Sequence, residues 1–464
     1  MADLSEKCAV FGIYAKNSAV AHITHAGLWS LQHRGQEGTG IAVSNGTTIS
    51  IKKDLGLVSQ VYSAQDIQGL QGHIAVGHNR YATNGGSTRE HVQPVFRFNQ
   101  HIALSHNGNL PDTTKLEKFL HSVGIGTSQS NDSEMIADAL SYHVVKGATL
   151  PDAVQKIYPL LIGAFSVVAM TADTLVAFRD RCGIRPLVMG TLGGGYIVSS
   201  ESCVFPILDA KFLREVLPGE MVVFDTNGMQ SKQLVVGKSK LDIFEFVYFA
   251  RADSMFMGKR VNEVRRNFGI ELAREAPVAA DVIVAVPDSA FPAAEGFSEQ
   301  SCILLQNGFI KNGYVHRTFI RPEQHIREKH LHMKLNPIPE VVQGKSVILV
   351  DDSIVRGTTT KQLVHILKQA GAREVHVRIS SPPVLYPDFY GIDTPSQKEL
   401  IAANKTVAEI QKYIGADSLA FLSYKGMINA TGLPESVFCT SCFTGKYPVS
   451  IGANKVTVAR VHLK

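Results

Sequence analysis

Two stretches of this chain put reactive residue types where chemistry needs them. In Val347-Ile-Leu-Val-Asp351-Asp352-Ser353-Ile-Val-Arg356-Gly357-Thr358-Thr359-Thr360 an apolar run delivers two adjacent carboxylates and then a glycine and three threonines. A buried strand ending in Asp351 and Asp352 places them at the carboxyl edge of a sheet, where open α/β folds bind ligands. The turn that follows offers N–H groups and hydroxyls at a helix N-terminus, a site for phosphate. The carboxylates can accept hydrogen bonds from sugar hydroxyls or sit beside Mg²⁺, which takes hard oxygen ligands. Val286-Pro-Asp-Ser289 follows another apolar run, so it reaches the same edge and could hold a second phosphate or a metal-bound water, or be a plain turn. The basic run Arg317 to Lys334 reads either as a lid over an anion or as a solvated loop.

The second stretch begins at Cys8. A cysteine beside Val10 and Phe11 is most often a small core residue. Downstream, however, the chain supplies His33-Arg34-Gly35, His78-Asn-Arg80, His106-Asn107-Gly108-Asn109 and Asn131-Asp132-Ser133. A guanidinium and a carboxylate can clamp an amino acid by its charged ends, and an amide with a glycine N–H can hold an oxyanion. No fixed His-Asn signature accompanies the thiol. A cysteine at a processed N-terminus could instead use its own α-amine, whose pKa of roughly 7.7 to 8 suits a general base.

The elements that must position these residues fall into two grammars. Up to Gly228, short β-rich runs (Ala9 to Tyr14, Gly40 to Val43, Thr48 to Lys52, His73 to Gly77, His101 to Ser105, Phe165 to Met170, Leu175 to Arg179, Tyr196 to Ser199, Glu220 to Phe224) alternate with turns. Two helices interrupt them, one over Ala19 to His33 and one from Asp132 with Ile136, Leu140 and Val144 on its apolar stripe. Mostly antiparallel sheets with helices packed on them follow. Beyond about residue 240 the order becomes helix (Val261 to Glu275), apolar strand (Val282 to Val286), apolar strand (Ser346 to Val350) and helix (Thr359 to Ala370), the pattern of a parallel sheet covered on both faces.

Composition sets the outer limits. The 464 residues are 45% hydrophobic and 19% charged, with 39 glycines, 19 prolines and a net charge of +5, the profile of two or three ordinary globular domains. That charge excess is too thin for a nucleic-acid or membrane surface. The N-terminus lacks the basic and apolar regions of a secretory signal, and no apolar stretch reaches the ~20 residues of a membrane span. The six cysteines are mostly scattered, as in a reduced cytoplasmic protein.

From Cys8 to about Pro448 the sequence resembles the glutamine phosphoribosylpyrophosphate amidotransferases. Cys8-Ala-Val-Phe-Gly-Ile, Leu31-Gln-His-Arg-Gly-Gln-Glu37, His106-Asn-Gly-Asn-Leu110 and Ser130-Asn-Asp-Ser-Glu134 look like an N-terminal-nucleophile glutaminase, and Val350 to Thr360 looks like the family's phosphoribosyl-pyrophosphate loop. The resemblance implies a propeptide (1–7), a layered, mainly antiparallel glutaminase domain (8–240), and a type I phosphoribosyltransferase domain with a parallel sheet and a C-terminal extension (241–464), an α+β unit followed by an α/β unit. It implies Cys8 as nucleophile, Asn107 and Gly108 at the oxyanion, and Arg34, Arg80 and Asp132 as glutamine-binding residues, with Arg34 also supporting the nucleophile loop. Asp351, Asp352, Ser353, Arg356, Gly357, Thr358, Thr359 and Lys334 would hold phosphoribosyl pyrophosphate, and Ser289, Asp351 and Asp352 match the Mg²⁺-associated positions. Ammonia would pass from the first site to the second and displace pyrophosphate to give 5-phosphoribosylamine, the opening step of purine synthesis. Purine nucleotides are expected as feedback inhibitors and a homo-oligomer, tetramer or dimer, as the working form.

One departure stands out. Some members carry a [4Fe–4S] cluster on four cysteines; Cys439 and Cys442 match its last two ligands, but Leu241 to Phe249 and Tyr386 to Gly391 contain no cysteine. Two thiolates cannot saturate a cubane, so no iron–sulfur cluster is expected and both cysteines read as vestigial or structural. Other glutaminases serve different acceptors, but the Asp351 to Thr360 loop separates this chain from them. A gene-regulating phosphoribosyl-pyrophosphate sensor would have no use for Cys8, Arg80, Asn107 and Asp132 together.

Overall fold

The first half builds two antiparallel sheets from strands whose side chains alternate between two cores. A computed structural model describes residues 8–16, 18–81, 89–97, 102–312, 335–391 and 396–457. The first sheet has seven strands in the spatial order Lys211–Glu215, Val188–Leu192, Gly195–Ser199, Ala9–Tyr14, Ile74–Arg80, Gly38–Ser44, Ile49–Leu55. The second has six, in the order Gly228–Gln233, Glu220–Asp225, Leu175–Arg179, Ile162–Met170, Ile102–Asp112, Val95–Arg97. Along Ala9–Tyr14 the period of two sends Val10 and Tyr14 into the core between the sheets, with Val76, Val168 and Val222. Ala9, Phe11 and Ile13 point the other way, onto the helix Val20–Ser30 through Leu28. Behind the second sheet, Ile136 and Leu140 of the helix Asp132–Val145 pack on Leu104, Phe165 and Val167. The result is a helix–sheet–sheet–helix stack.

The second half is a four-stranded parallel sheet in the order Val282–Ala285, Ser346–Asp351, Glu374–Ile379, Ser418–Phe421. Its strands are apolar throughout the centre because both faces are covered, by helices that include Val261–Glu275, Phe291–Ser301 and Thr358–Gln369. Val264, Phe268 and Leu272 form the buried face of the first of these, as their spacing predicts. A short parallel pair, Leu241–Asp242 beside Phe438–Cys439, ties the C-terminal segment to the start of the second half. No described helix is long and apolar enough to cross a membrane.

Several elements lie beyond what the pattern announced. The strands Val188–Leu192, Lys211–Glu215, Gly228–Gln233, Glu374–Ile379 and Ser418–Phe421 and the helices Thr114–Ser122, Leu150–Ile157 and Phe291–Ser301 were not anticipated. Lys211–Glu215 and Gly228–Gln233 are largely exposed edge strands, so little apolar alternation marks them.

Candidate active site

Cys8 precedes the strand Ala9–Tyr14, one residue beyond the pair Ala9–Asn79, so Arg80 closes the neighbouring strand beside it. Its backbone has φ 73°, a left-handed value that costs a non-glycine residue roughly 1–2 kcal/mol. Its carbonyl accepts a 3.4 Å hydrogen bond from Arg34 Nε. Arg34 is fully buried, and its other nitrogens meet two carboxylates: Nη1 contacts Glu201, and Nη1 and Nη2 each reach Glu245 at 3.0 Å in a two-pronged fork. Such a charge leaves water only when fully paired. Burial pushes the Glu201 carboxyl up, but the His33 and Arg34 charges outweigh it and hold the group well below the ordinary range. The Arg34 guanidinium, expected among the glutamine-binding residues, thus lies sealed in protein and contacts the Cys8 backbone.

The second component is the strand Ile102–Asp112. Asn107 and Gly108 pair with Ser166 and Phe165, and Gly108 has φ 149°. Both side-chain amide atoms of Asn107 are buried and have no hydrogen-bond partner among the described residues. Leaving them so costs about 1–3 kcal/mol per group, which a bound oxyanion or amide would return. Asp132 opens its helix beside this strand; its carboxylate accepts from Leu110 N at 3.1 Å and from Ser133 N at 2.7 Å, and His106 Nδ1 lies 3.8 Å away. Burial pushes the imidazole of His78 down to about 3 and lowers that of His106 too, so both rings stay neutral. Neither is charged to serve as a proton donor near neutral pH.

The second half reaches into this region. Asn109 Nδ2 donates to the carbonyl of Phe389 at 2.8 Å, and a Cβ placed on Gly391 (φ 111°) would lie 3.0 Å from the Cα of Gly108. A side chain there would press on Gly108 from a left-handed backbone, so glycine suits that approach.

The other candidate residues gather at the carboxyl edge of the parallel sheet. Asp351 ends its strand, fully buried, with Oδ1 accepting from Asp352 N at 2.9 Å. Asp352 Oδ1 accepts from Ser353 Oγ at 2.8 Å and Oδ2 from Ser289 Oγ at 2.5 Å, so the two sequence-distant loops meet. Gly357 caps the helix Thr358–Gln369 with φ 78°, a conformation glycine adopts without strain, and Thr358 and Thr359 stand in its first turn. Arg356 pairs with Glu399 at 3.1 Å on the surface. Lys334 and the whole run from Arg317 lie outside the described residues, as do residues 1–7.

Cys439 and Cys442 are buried. Burial, reinforced by the charges of Asp242 and Asp388, raises both thiols well above their usual range, so they carry their protons. Asp242 and Asp388 stand in the two cysteine-free stretches, and the burial of Asp242 together with the Asp388 charge raises its carboxyl. Thiol protons must leave before iron binds, and two sulfurs do not make a cubane's ligand set. Among the described residues no group of three or more His, Cys, Asp or Glu is arranged to hold a metal ion.

Glu201, Glu245 and Arg185 escaped the motif reading. Arg185 Nη2 also meets Glu245 at 3.0 Å, so two arginines of the first half close on one carboxylate of the second. The signal was present: Glu245 is a lone acid within the otherwise apolar stretch Ile243 to Phe249.

Known proteins agree with both halves. Residues 78–206 match the glutamine amidotransferase domain family and residues 259–381 the phosphoribosyl transferase domain family. The amidophosphoribosyltransferase of Synechococcus elongatus is 47% identical over 453 residues, covering 96% of this chain and 92% of its own, and that of Bacillus subtilis is 43% identical, covering 97% and 95%. The solved structure of the Bacillus subtilis glutamine phosphoribosylpyrophosphate amidotransferase with ADP and GMP superposes with a TM-score of 0.89 at 42% identity, over 97% of this chain and 99% of that one. This chain belongs to the amidophosphoribosyltransferase family, glutamine-dependent enzymes that open purine biosynthesis.

Proposed function

We propose that the two sites divide one reaction between them. Cys8 Sγ attacks the side-chain amide of glutamine while its own α-amine, freed by removal of residues 1–7, carries the proton to the leaving nitrogen. That removal would also relieve the left-handed strain at Cys8. The tetrahedral oxyanion sits against the Asn107 amide and the Gly108 N–H, and ammonia departs as a thioester forms. Water then releases glutamate. Arg80 and Asp132 hold the α-carboxylate and α-amine of the substrate, fixing the amide in line with the thiol.

In the second half, ammonia attacks C1 of the ribose and the C–O bond to pyrophosphate breaks. Asp351 and Asp352 face the ribose, and the Ser353 to Thr359 turn, joined by Lys334, receives the phosphates. Ser289, Asp351 and Asp352 would hold Mg²⁺ together with substrate phosphates, since that ion is commonly bound by one or two carboxylates without a protein cage. Bound there, it would neutralise charge on the departing pyrophosphate. Purine nucleotides, two of which occupy the Bacillus subtilis structure, are taken as feedback inhibitors, a homo-oligomer as the working form, and the cytoplasm as its location.

The alignment across nearly the whole chain, 96% of it, carries this reading. Its test is pyrophosphate release from phosphoribosyl pyrophosphate and Mg²⁺, which should depend on added glutamine and yield glutamate in equal amount. Glutamate without matching pyrophosphate would point to another acceptor.

A further inference from the structure

Glu245 comes from the second half yet serves the first. It opens a one-turn wide helix, Glu245–Phe249, and is fully buried. Its two oxygens take the fork of Arg34 at 3.0 Å each, and Oε1 also takes Arg185 Nη2 at 3.0 Å. Arg34 in turn holds the carbonyl of Cys8. Because Arg34 is planar and doubly engaged, its position is dictated by the carboxylates that grip it. Glu201, the other of these, belongs to the first half and is itself tied across the boundary, accepting from Ser254 Oγ at 2.6 Å and Arg251 N at 3.0 Å.

The Glu245 turn is fixed from behind. Arg265, on the helix Val261–Glu275, donates Nε to the Phe246 carbonyl at 2.7 Å and Nη2 to the Ala250 carbonyl at 2.8 Å. Contacts therefore run from the helix Val261–Glu275 of the second half, through the Glu245 turn and Arg34, to the backbone of Cys8.

The geometry points to Glu245 as a positioning residue for glutamine hydrolysis: by holding Arg34 it fixes the Cys8 carbonyl, and with it the direction of the thiol. This rests on the reading of Cys8 as nucleophile. The role differs from plain structural support because it predicts damage confined to one of the two nitrogen sources.

The test uses Glu245→Gln, which keeps the shape and removes the charge, and Glu245→Asp, which keeps the charge and draws it back from Arg34. Three rates are measured on each: glutamine-dependent synthesis, ammonia-dependent synthesis, and alkylation by 6-diazo-5-oxo-norleucine. In that alkylation the thiol sulfur bonds to the diazo carbon, the thiol proton moves to that carbon and N₂ leaves. Both variants should lose at least about tenfold in glutamine kcat and in labelling rate, with glutamine KM and ammonia-dependent synthesis within about twofold of the parent. Equal loss of both syntheses, or no loss of labelling rate, in whichever variant folds would overturn the assignment. If the label on the parent enzyme falls on a residue other than Cys8, the reading of the nucleophile fails first, and peptide mapping separates that outcome from failure of Glu245.

Discussion

The two halves of this molecule hold their reactive groups in opposite ways. The Asp351 to Thr360 loop is held by its own half: Asp351 ends a strand of the parallel sheet with Asp352 beside it, Asp352 accepts from Ser289 and Ser353, and Arg356 pairs with Glu399, all second-half residues. The thiol site borrows. Arg34 is gripped by Glu245, Asn109 by the Phe389 carbonyl, and Gly108 packs on Gly391. In the proposed reaction such dependence guards against wasted ammonia, since the half that would accept it also shapes the half that would release it. The accepting half has no matching need.

This asymmetry can be broken from either side. The largest effect should follow Asp351→Asn with Asp352→Asn, which removes the carboxylates proposed to face ribose and metal. Synthesis from glutamine and from ammonium salts should fall together, to below a hundredth of the parent, while hydrolysis of glutamine to glutamate persists. Retained synthesis from either nitrogen source would move the second site elsewhere. Next in size is Asn107→Ala. Losing one oxyanion donor typically costs about 10²–10³ in turnover, so glutamine kcat should fall by that factor with ammonia-dependent synthesis unchanged. A rise in glutamine KM alone would make Asn107 a binding group instead. The smallest effect expected is that of Gly391→Ala. The added methyl would press on Gly108 at 3.0 Å from a strained φ of 111°, shifting the oxyanion segment by tenths of an ångström, and glutamine kcat should drop about tenfold. An unchanged rate would show that the second half touches this strand without aligning it.

How much of this was legible follows from what each feature depends on. The Val261 to Glu275 helix was readable because Val264, Phe268 and Leu272 recur at helical spacing and are buried, and the Ala9 to Tyr14 strand because a short, nearly continuous apolar run, buried on both faces, reads as a strand. The Asp351 to Thr360 turn was readable because strand, acid pair, glycine and helix start are contiguous. Cys8, Asn107, Arg80 and Asp132 were readable only as a set of separate motifs, tied together by family resemblance. Glu245, Glu201 and Arg185 were not, because their meaning lies in contacts between residues 60 to 211 positions apart, which no local period encodes. Edge strands such as Gly228–Gln233 escaped for a related reason, having no residue fully buried on either face.

The central claim is that Cys8 serves only to release ammonia for a second, separate site. Cys8→Ala, assayed side by side with glutamine and with ammonium salts at saturating phosphoribosyl pyrophosphate and Mg²⁺, tests it most directly. The account predicts no glutamine-dependent pyrophosphate release above background and ammonia-dependent release within about twofold of the parent. Loss of both activities in a folded variant, or survival of the glutamine-dependent one, would contradict it.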